Sequence, residues 1–268
     1  MKIGVLGNLQ QLKSMQTMEE ILSFLQELGH ETYPFSSYNE VDGVEVLIVL
    51  GGDGAILHAA VHAAQKGIKI IGINYGTLGF LTEYEKDERE KVKELLAALE
   101  RGECKIVKRS VLEFCIEGKT YYALNEIAVQ RDNSLLSTAS TQILRLNVKT
   151  KEGQDVIAGD GLLLCTPTGS TAYSLSAGGA ILTPEVPVFM MTPICAFSMR
   201  ARPIVFADTD EFAITIDKGS AIVLSDGKVV AALPQNAEIK VKKAPFTADF
   251  PAKDGSDFFA RVKNKLNG

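Results

Sequence analysis

The sequence has few of the residues that build metal sites or disulfide frameworks. Its four cysteines are widely scattered and form no Cys-x-x-Cys pair, so we expect reduced, mostly buried thiols. It has only three histidines. His58 and His62 would share a helix face, but Ala59-Ala60-Val61 between them lacks the glutamate of a zinc-protease helix. We therefore predict no metal site made by protein side chains alone.

Long apolar runs and a surplus of positive charge are also missing. No stretch approaches the roughly 18 uncharged apolar residues of a membrane-spanning helix, which predicts that the protein has no membrane partner. The polar start, Met1–Gln10, is unlike a signal peptide, so we expect a cytoplasmic protein. The formal net charge of −5 argues against nucleic acid as a partner. A small anionic ligand is not excluded by this charge, because backbone N–H groups at a helix start can bind phosphate.

The first hundred residues alternate between strand and helix patterns. Buried apolar runs predict strands, and amphipathic or alanine-rich stretches closed by glycine predict helices. This alternation predicts a doubly wound, Rossmann-like α/β domain over residues 1–103. The predicted strands are Lys2–Leu6, Val44–Leu50 and Ile68–Ile73, and the predicted helices are Thr17–Leu28 (with a capping box at Thr17), Ala55–Lys66 and Glu85–Glu100.

The pattern changes after about Glu103, where short strands are separated by Gly, Asp, Asn or Lys turns. We predict an all-β domain over residues 104–252. A final amphipathic segment, 253–268, carries Phe258 and Phe259 and should pack back on an apolar surface. The predicted strands include Val111–Glu117, Tyr121–Gln130, Thr141–Thr150, Glu211–Asp217 and Ala237–Lys243.

The first segment that carries chemistry is Gly51-Gly52-Asp53-Gly54, between a buried strand and a helix start. Its glycines allow a phosphate to approach the backbone closely at the strand end, where open α/β sheets bind ligands. Asp53 would repel that phosphate unless it acts as a general base or contacts Mg²⁺. The structural alternative is a turn in which Asp53 caps the next helix. Leu57 replaces the last glycine of a dinucleotide fingerprint, which excludes a Rossmann dehydrogenase.

A second segment is Asn125-Glu126, which interrupts the apolar run Tyr122–Gln130. Strands avoid both residue types unless the side chains find partners. The functional interpretation is recognition of ribose hydroxyls or an amide, and the structural one is a solvent-facing edge.

The third segment combines Gly159-Asp160-Gly161 with the run Thr166–Gly179. The run is rich in hydroxyls and glycines, and Tyr173 adds a flat ring suited to an aromatic base. A helix is expected to begin near Ser170 or Thr171. The run lacks the Gly-x-Ser-x-Gly pattern of a serine hydrolase and is long for a simple turn.

These segments, together with Gly72–Leu81, closely resemble in order and spacing the signatures of bacterial NAD kinases, which convert NAD to NADP. The similarity runs from about Leu47 to Val205. The Gly-Gly-Asp-Gly element is shared with lipid and sugar kinases. The Thr-Pro-Thr-Gly-Ser-Thr-Ala-Tyr run with Asn-Glu is more specific.

The resemblance implies phosphoryl transfer from ATP or polyphosphate, with Mg²⁺ or another divalent cation, to the 2′-hydroxyl of the adenosine ribose of NAD. It implies an α/β domain, a β-rich NAD-binding domain and a C-terminal segment that returns to the first domain. It also implies a homo-oligomer, dimer or tetramer, whose sites lie between domains and are completed by a neighbouring subunit.

The resemblance also assigns roles to individual residues. Asp53 corresponds to the proton acceptor, within a phosphate loop of Gly51, Gly52 and Gly54, and His58 stands near phosphate. Asp160 corresponds to the residue at the nicotinamide end. The remaining NAD-binding positions are Asn125 and Glu126 for hydroxyl and base groups, Ala158 and Cys195 along the ligand, and Thr168, Thr171, Ala172, Tyr173, Ser174, Leu175 and Ser176 around the adenine and its ribose.

This chain departs from the family pattern at several positions. Ala55 replaces a hydroxyl residue after Gly-Gly-Asp-Gly, and Ala158 replaces an arginine. Ala196 and Lys228 also differ from the usual residues. None of these changes removes Asp53. Two alternatives stay open: a lipid or sugar kinase with the same glycine-rich corner, and a non-catalytic dinucleotide sensor, which Ala55 and Ala158 favour.

Overall fold

A computed structural model of the 268-residue chain describes residues 1–7, 15–76, 79–132, 143–252 and 258–266. The chain divides into two compact units. The first combines Met1–Arg109 with Phe246–Gly268, and the second is Ser110–Pro245. Across the described ranges, no helix has the length and apolarity needed to cross a bilayer.

The first unit, which we call the α/β unit, contains a five-stranded parallel sheet in the order β2-β1-β3-β4-β5. The chain therefore builds outward in opposite directions from β1 and β3, which is the switch point of a doubly wound sheet. The strands are β1 (Lys2–Gly7), β2 (Glu31–Phe35), β3 (Val46–Leu50), β4 (Lys69–Asn74) and β5 (Tyr84–Glu85).

Helices cover both faces of this sheet. One core cluster joins α1 (Met15–Glu27) and α3 (Arg89–Glu100) to alternate strand residues, among them Ile71 and Ile73. Gly72 between them faces the other side. There, α2 (Asp53–Gln65) packs so closely that a Cβ on Gly72 would lie 2.3 Å from a methyl of Ile56. The predicted doubly wound α/β fold is confirmed.

The second unit, the β unit, is built on antiparallel strands in two sheets of six, ordered β10-β9-β14-β17-β6-β7 and β13-β12-β11-β8-β15-β16. Inward side chains from both sheets form one shared core, as in a β-sandwich. The all-β prediction is confirmed. The strands are β6 (Lys105–Ile116), β7 (Lys119–Ala123), β8 (Glu126–Arg131), β9 (Leu144–Thr150), β10 (Gly153–Gly159), β11 (Gly161–Cys165), β12 (Val188–Ile194), β13 (Ile204–Ala207), β14 (Phe212–Lys218), β15 (Ala221–Ser225), β16 (Lys228–Leu233) and β17 (Glu238–Ala252).

Three helical segments are short. Two 3₁₀ turns occupy Tyr38–Glu40 and Thr168–Thr171, and α4 (Tyr173–Ser176) is a single turn. The last element, α5 (Phe258–Leu266), belongs to the α/β unit.

Several predicted boundaries are wrong. Thr17 lies inside α1 rather than capping it. The helix predicted from Glu85 begins at Arg89, because Tyr84–Glu85 instead pairs with β4 as an edge strand. Strand β2 was not predicted, since its half-exposed sequence with Pro34 is that of a sheet edge. Thr77 and Leu78 of the glycine-rich motif, and the start of the strand predicted at Thr141, lie outside the described residues.

The chain passes from one compact unit to the other twice, once within β6 and once within β17. The predicted domain boundaries, after residues 103 and 252, fall just before β6 and just after β17. As a division into functional domains, those boundaries stay a prediction.

Candidate functional site

The glycine-lined corner after β3 orients the side chain of Asp53. Gly52 occupies the N-cap position of α2 without a side-chain cap, and Asp53 is the first helical residue. The Asp53 carboxylate accepts the backbone N–H of Phe80 (2.7 Å to Oδ2) and of Leu81 (2.9 Å to Oδ1). The helix-cap interpretation of Asp53 is therefore wrong, because its two oxygens bind a different segment of the chain.

The loop that binds Asp53 comes closest to the carboxylate at Gly79. A Cβ on Gly79 would lie 1.8 Å from Asp53 Oδ1, so the motif requires glycine here. The loop is anchored at its start by Asn74, a buried residue whose side-chain amide donates to Glu85 and accepts the N–H of Gly76 (3.0 Å).

Helix α5 packs along the same loop. Its residues Phe258, Arg261 and Lys265, spaced by three and four, share one helix face. The Phe258 ring lies 6.4 Å from the Phe80 ring, and Lys265 Nζ lies 3.5 Å from Asp53 Oδ2. This confirms that the C-terminal helix returns to the α/β unit.

The other residues predicted near phosphate lie on the first turns of α2. Gly54 is exposed, and a Cβ there would meet nothing within 4 Å. His58 is exposed, and its ring lies 6.3 Å from the Tyr38 ring. His62 also faces Tyr38, with Nε2 3.0 Å from the Val41 carbonyl oxygen. Among the described residues, no group of three or more His, Cys, Asp or Glu side chains is arranged to hold a metal ion.

In the β unit, the predicted strand Tyr121–Gln130 is divided in two where Asp226 contacts it. The Asp226 carboxylate accepts the backbone N–H groups of Leu124 and Asn125 (both 2.8 Å) and of Glu126 (3.1 Å). These N–H groups are therefore bound by a side chain about one hundred residues further along the chain. One predicted strand becomes two, β7 and β8, with Asn125 between them.

The side chain of Glu126 is buried at the start of β8. It is 6% exposed, β8 lies between β11 and β15, and Glu126 Oε2 has no hydrogen-bond partner. The solvent-facing edge interpretation is therefore wrong. Burial, together with the nearby Asp226 carboxylate, raises the pKa of Glu126 to about 8. Burial also raises the pKa of Asp226 to about 6, against the lowering effect of its three N–H donors.

The hydroxyl-rich run Thr166–Gly179 packs directly against Asn125. A Cβ on Gly169 would lie 2.1 Å from the Asn125 carbonyl oxygen, so only glycine fits. The predicted helix start at 170 or 171 is wrong. The 3₁₀ turn begins at Thr168, and α4 begins only at Tyr173.

Most hydroxyls of this run bind other protein groups. Thr171 donates to the Thr168 carbonyl oxygen (3.3 Å), and the buried Ser174 hydroxyl contacts Thr192 (2.9 Å). Thr168 is buried, whereas Ala172 and Leu175 are half-buried and Ser176 is exposed. Tyr173 is 38% exposed, and its hydroxyl accepts a hydrogen bond from Gln130 (2.8 Å).

Asp160, Ala158 and Cys195 lie near the opposite end of β8 and β11 from Glu126. Asp160 forms an ion pair with Arg131 (3.1 Å) and is half exposed. The Ala158 carbonyl oxygen accepts the Phe197 N–H (2.8 Å), and Cys195 is exposed. The register pairs Cys165 with Glu126 at one end and Gly161 with Gln130 at the other. Because a strand rises about 3.3 Å per residue, these two ends are roughly 13 Å apart, and the polar surface is elongated.

The sequence predictions did not identify three residues whose side chains contact the predicted site residues. Asp226-Gly227 resembles an ordinary hairpin turn, Arg131 is the last residue of an apolar strand, and Lys265 resembles a solvated helix-end lysine. Asp226 could have been suspected only from knowing that residues 124–126 lie beside it.

These features define a nucleotide-binding enzyme. The α/β unit presents an oriented carboxylate at a glycine-lined corner suited to phosphate. The β unit presents a buried acid with one oxygen that has no hydrogen-bond partner, and an exposed aromatic residue.

Comparisons with known proteins identify the family. Residues 36–104 match the family model of the ATP-NAD kinase N-terminal domain, and residues 124–251 match that of the C-terminal domain. The NAD kinase of Carboxydothermus hydrogenoformans is 37% identical over 235 residues, covering 85% of this chain and 81% of the relative. The NAD kinase of Methanothermobacter thermautotrophicus is 31% identical and covers 99% and 96% of the two chains.

Solved structures agree. The yeast NADH kinase complexed with NADH has a TM-score of 0.83 at 25% identity, covering 99% of this chain and 87% of that one. An NAD kinase from Archaeoglobus fulgidus in complex with ATP has a TM-score of 0.77 at 25% identity, with 100% and 99% coverage.

The chain belongs to the NAD kinase family, whose reaction is the phosphorylation of NAD to NADP. The family resemblance of the motifs is confirmed. The comparisons favour this activity over the lipid kinase, sugar kinase and non-catalytic sensor alternatives.

The raised pKa values of Glu126 and Asp226 predict a pH-dependent stability. Because the folded protein holds these protons more tightly than the unfolded chain, their contribution is full below about pH 4 and is lost as pH rises through about 8. Glu126→Gln, which cannot ionise, should show a smaller fall in melting temperature between pH 6 and 9 than wild type.

Thermal unfolding followed by circular dichroism across that range measures this effect. Glu152→Gln, at an exposed position, is the matched control and should follow wild type. Parallel curves for Glu126→Gln and wild type would contradict the assignment.

Proposed function

We propose that Asp53 is the general base of the NAD-to-NADP reaction and accepts the proton of the 2′-hydroxyl of the adenosine ribose. The observation that carries this is the orientation of its carboxylate by the N–H groups of Phe80 and Leu81, with one third of the side chain exposed. Each carboxylate oxygen has further acceptor capacity for a hydroxyl.

The chemical step balances as a direct phosphoryl transfer. The 2′-hydroxyl gives its proton to Asp53, and its oxygen forms a bond to the γ-phosphorus of the donor. The bond from that phosphorus to the β,γ-bridging oxygen breaks, which releases the nucleoside diphosphate. The protein contributes mainly positioning and the correct placing of charge.

We propose ATP as the donor, with Mg²⁺ or another divalent cation entering on its phosphates. The glycine corner at residues 51–54 supports phosphate binding, because backbone N–H groups at the start of a helix point toward a ligand beyond its N-terminus. When bound, the cation would neutralise phosphate charge. We propose that Gly51, Gly52, Gly54 and His58 contact the phosphates.

We propose that residues 104–252 form the NAD-binding domain. The buried oxygen of Glu126 that lacks a hydrogen-bond partner, beside Asn125, supports a contact with ribose hydroxyls. The exposed Tyr173 ring supports stacking on the base. We assign the rest of the surface to NAD as well, namely Ala158, Asp160, Thr168, Thr171, Ala172, Ser174, Leu175, Ser176 and Cys195.

Asp53→Asn tests the proposed base. The amide keeps the shape of the side chain but cannot accept the proton, so kcat should fall by ~10²–10⁴-fold. The dissociation constant for NAD, measured by calorimetry, should change little. Asp42→Asn, at an exposed position of the same unit, is the control and should retain wild-type turnover. A wild-type kcat in Asp53→Asn would refute the base.

The donor is tested by incubating the purified protein with NAD, Mg²⁺ and one donor at a time. We expect NADP to form with ATP, as monitored by a NADP-specific dehydrogenase. Turnover with inorganic polyphosphate but not with ATP would contradict the proposed donor.

We also propose that the protein is a homo-oligomer. The segment after β12 exposes Phe197 (80%) and Met199 (88%), beside the edge strand β13 with Ile204 (41%) exposed. Exposed apolar side chains next to a strand that ends its sheet, as β13 does among the described residues, are a common contact surface, and a second copy of this chain would cover them. We propose a cytoplasmic location, which the four free cysteines support.

Light scattering after size exclusion tests the oligomer. Wild type should have the mass of a dimer or tetramer, and the double substitution Phe197→Ser with Met199→Ser should shift it toward monomer. Val229→Ser, at an exposed position (61%) in β16 on the opposite edge of the same sheet, is the control. A monomeric wild type would overturn the proposal.

A further inference from the structure

The charged end of Lys265 contacts the carboxylate proposed to act as the base. Lys265 Nζ lies 3.5 Å from Asp53 Oδ2 and 4.3 Å from the centroid of the Phe80 ring. The Lys265 side chain is 27% exposed, and that of Asp53 is 33% exposed. This cation therefore lies against both the carboxylate and one of the residues whose N–H group orients it.

The remaining contacts of α5 hold Lys265 in this position. One turn earlier, Arg261 pairs with the largely buried Glu83 (3.4 Å) and approaches the Thr82 carbonyl oxygen (3.5 Å). Phe258 packs on Phe80. Three residues of one helix face thus contact the loop from 80 to 83, so the lysine is placed by packing as well as by charge.

A carboxylate beside a phosphate corner has an electrostatic problem. Phosphate groups repel it and push it away from the orientation in which it can accept a proton from a hydroxyl. A cation on the other side of the carboxylate attracts it and opposes this repulsion. Asp53 has such a cation in Lys265.

We propose that Lys265 is a positioning residue, which keeps the Asp53 carboxylate correctly oriented and balances its negative charge when the phosphates of the donor are bound. This inference rests on the proposed role of Asp53 as the base. It predicts that removing the charge of Lys265 slows turnover without weakening the binding of either substrate, since the lysine acts through Asp53.

Lys265→Met is the principal variant, because methionine keeps the helix propensity and the apolar contact with Phe80 but removes the charge. We expect kcat to fall by roughly tenfold, with KM for ATP and for NAD within twofold of wild type. Lys265→Arg should restore most of kcat. Lys265→Gln serves as a second neutral variant if Lys265→Met does not fold.

Lys263→Met is the matched control. Lys263 lies in the same last turn of α5, is exposed, and approaches the Phe259 ring (5.5 Å) instead of the Asp53 loop. Any effect of a helix-end charge is common to both lysines. Lys263→Met should therefore keep the kcat of wild type, and a fall equal to that of Lys265→Met would overturn the proposal.

A double substitution separates this inference from the assignment of the base. If Lys265 acts through Asp53, adding Lys265→Met to Asp53→Asn should cause no further loss of kcat. A further tenfold loss, or a raised KM for ATP with unchanged kcat, would show instead that Lys265 binds the donor. Wild-type turnover in Asp53→Asn alone would refute the base, whatever the lysine variants do.

Discussion

The carboxylate of Asp53 joins three segments of the α/β unit that are far apart in sequence. Asp53 is the first residue of α2, and its carboxylate accepts two N–H groups from the loop after β4 and pairs with Lys265 of α5. Hydrogen bonds to a charged group are each worth about 1.5–3 kcal/mol, so this contact couples the corner, the loop and the C-terminal helix. The geometry tolerates no side chain at position 79. The same bonds fix the direction of both oxygens before substrate arrives, which is the preorganisation that phosphoryl transfer needs.

The β unit uses two buried acids in different ways. Asp226 has its oxygens occupied by three backbone N–H groups, and these contacts determine where β7 ends and β8 begins. Glu126, beside it, keeps one oxygen without a partner although the side chain is buried. An unsatisfied buried polar atom is costly, so its persistence is typical of a group that a ligand completes. The first acid therefore builds the surface and the second is available to recognise hydroxyls.

The sequence predicts the elements that depend on local pattern and misses those that depend on distant contacts. Strand β3 and helix α2 follow from a continuous apolar run, two glycines and an alanine-rich stretch, and each is found within a few residues of its predicted bounds. The division at Asn125 could not be predicted, because the acid that causes it is Asp226. The contact of Lys265 with Asp53 spans more than two hundred residues, and no local signal distinguishes that lysine from Lys263. The roles of the NAD-binding residues follow from the resemblance alone and stay predictions.

An acid in a corner proposed to bind phosphate is at first sight a poor choice, since it weakens the binding of any anion. A protein that merely sensed a dinucleotide would gain affinity by replacing Asp53 with a neutral residue. The α/β unit does the opposite, because a loop glycine, two N–H groups and a helix lysine all accommodate the carboxylate. These contacts are explained if the Asp53 carboxylate accepts a proton during the reaction. Lys265 then offsets the repulsion between that carboxylate and bound phosphate. Ala55 removes one hydroxyl from the corner, but it touches none of the contacts that orient Asp53.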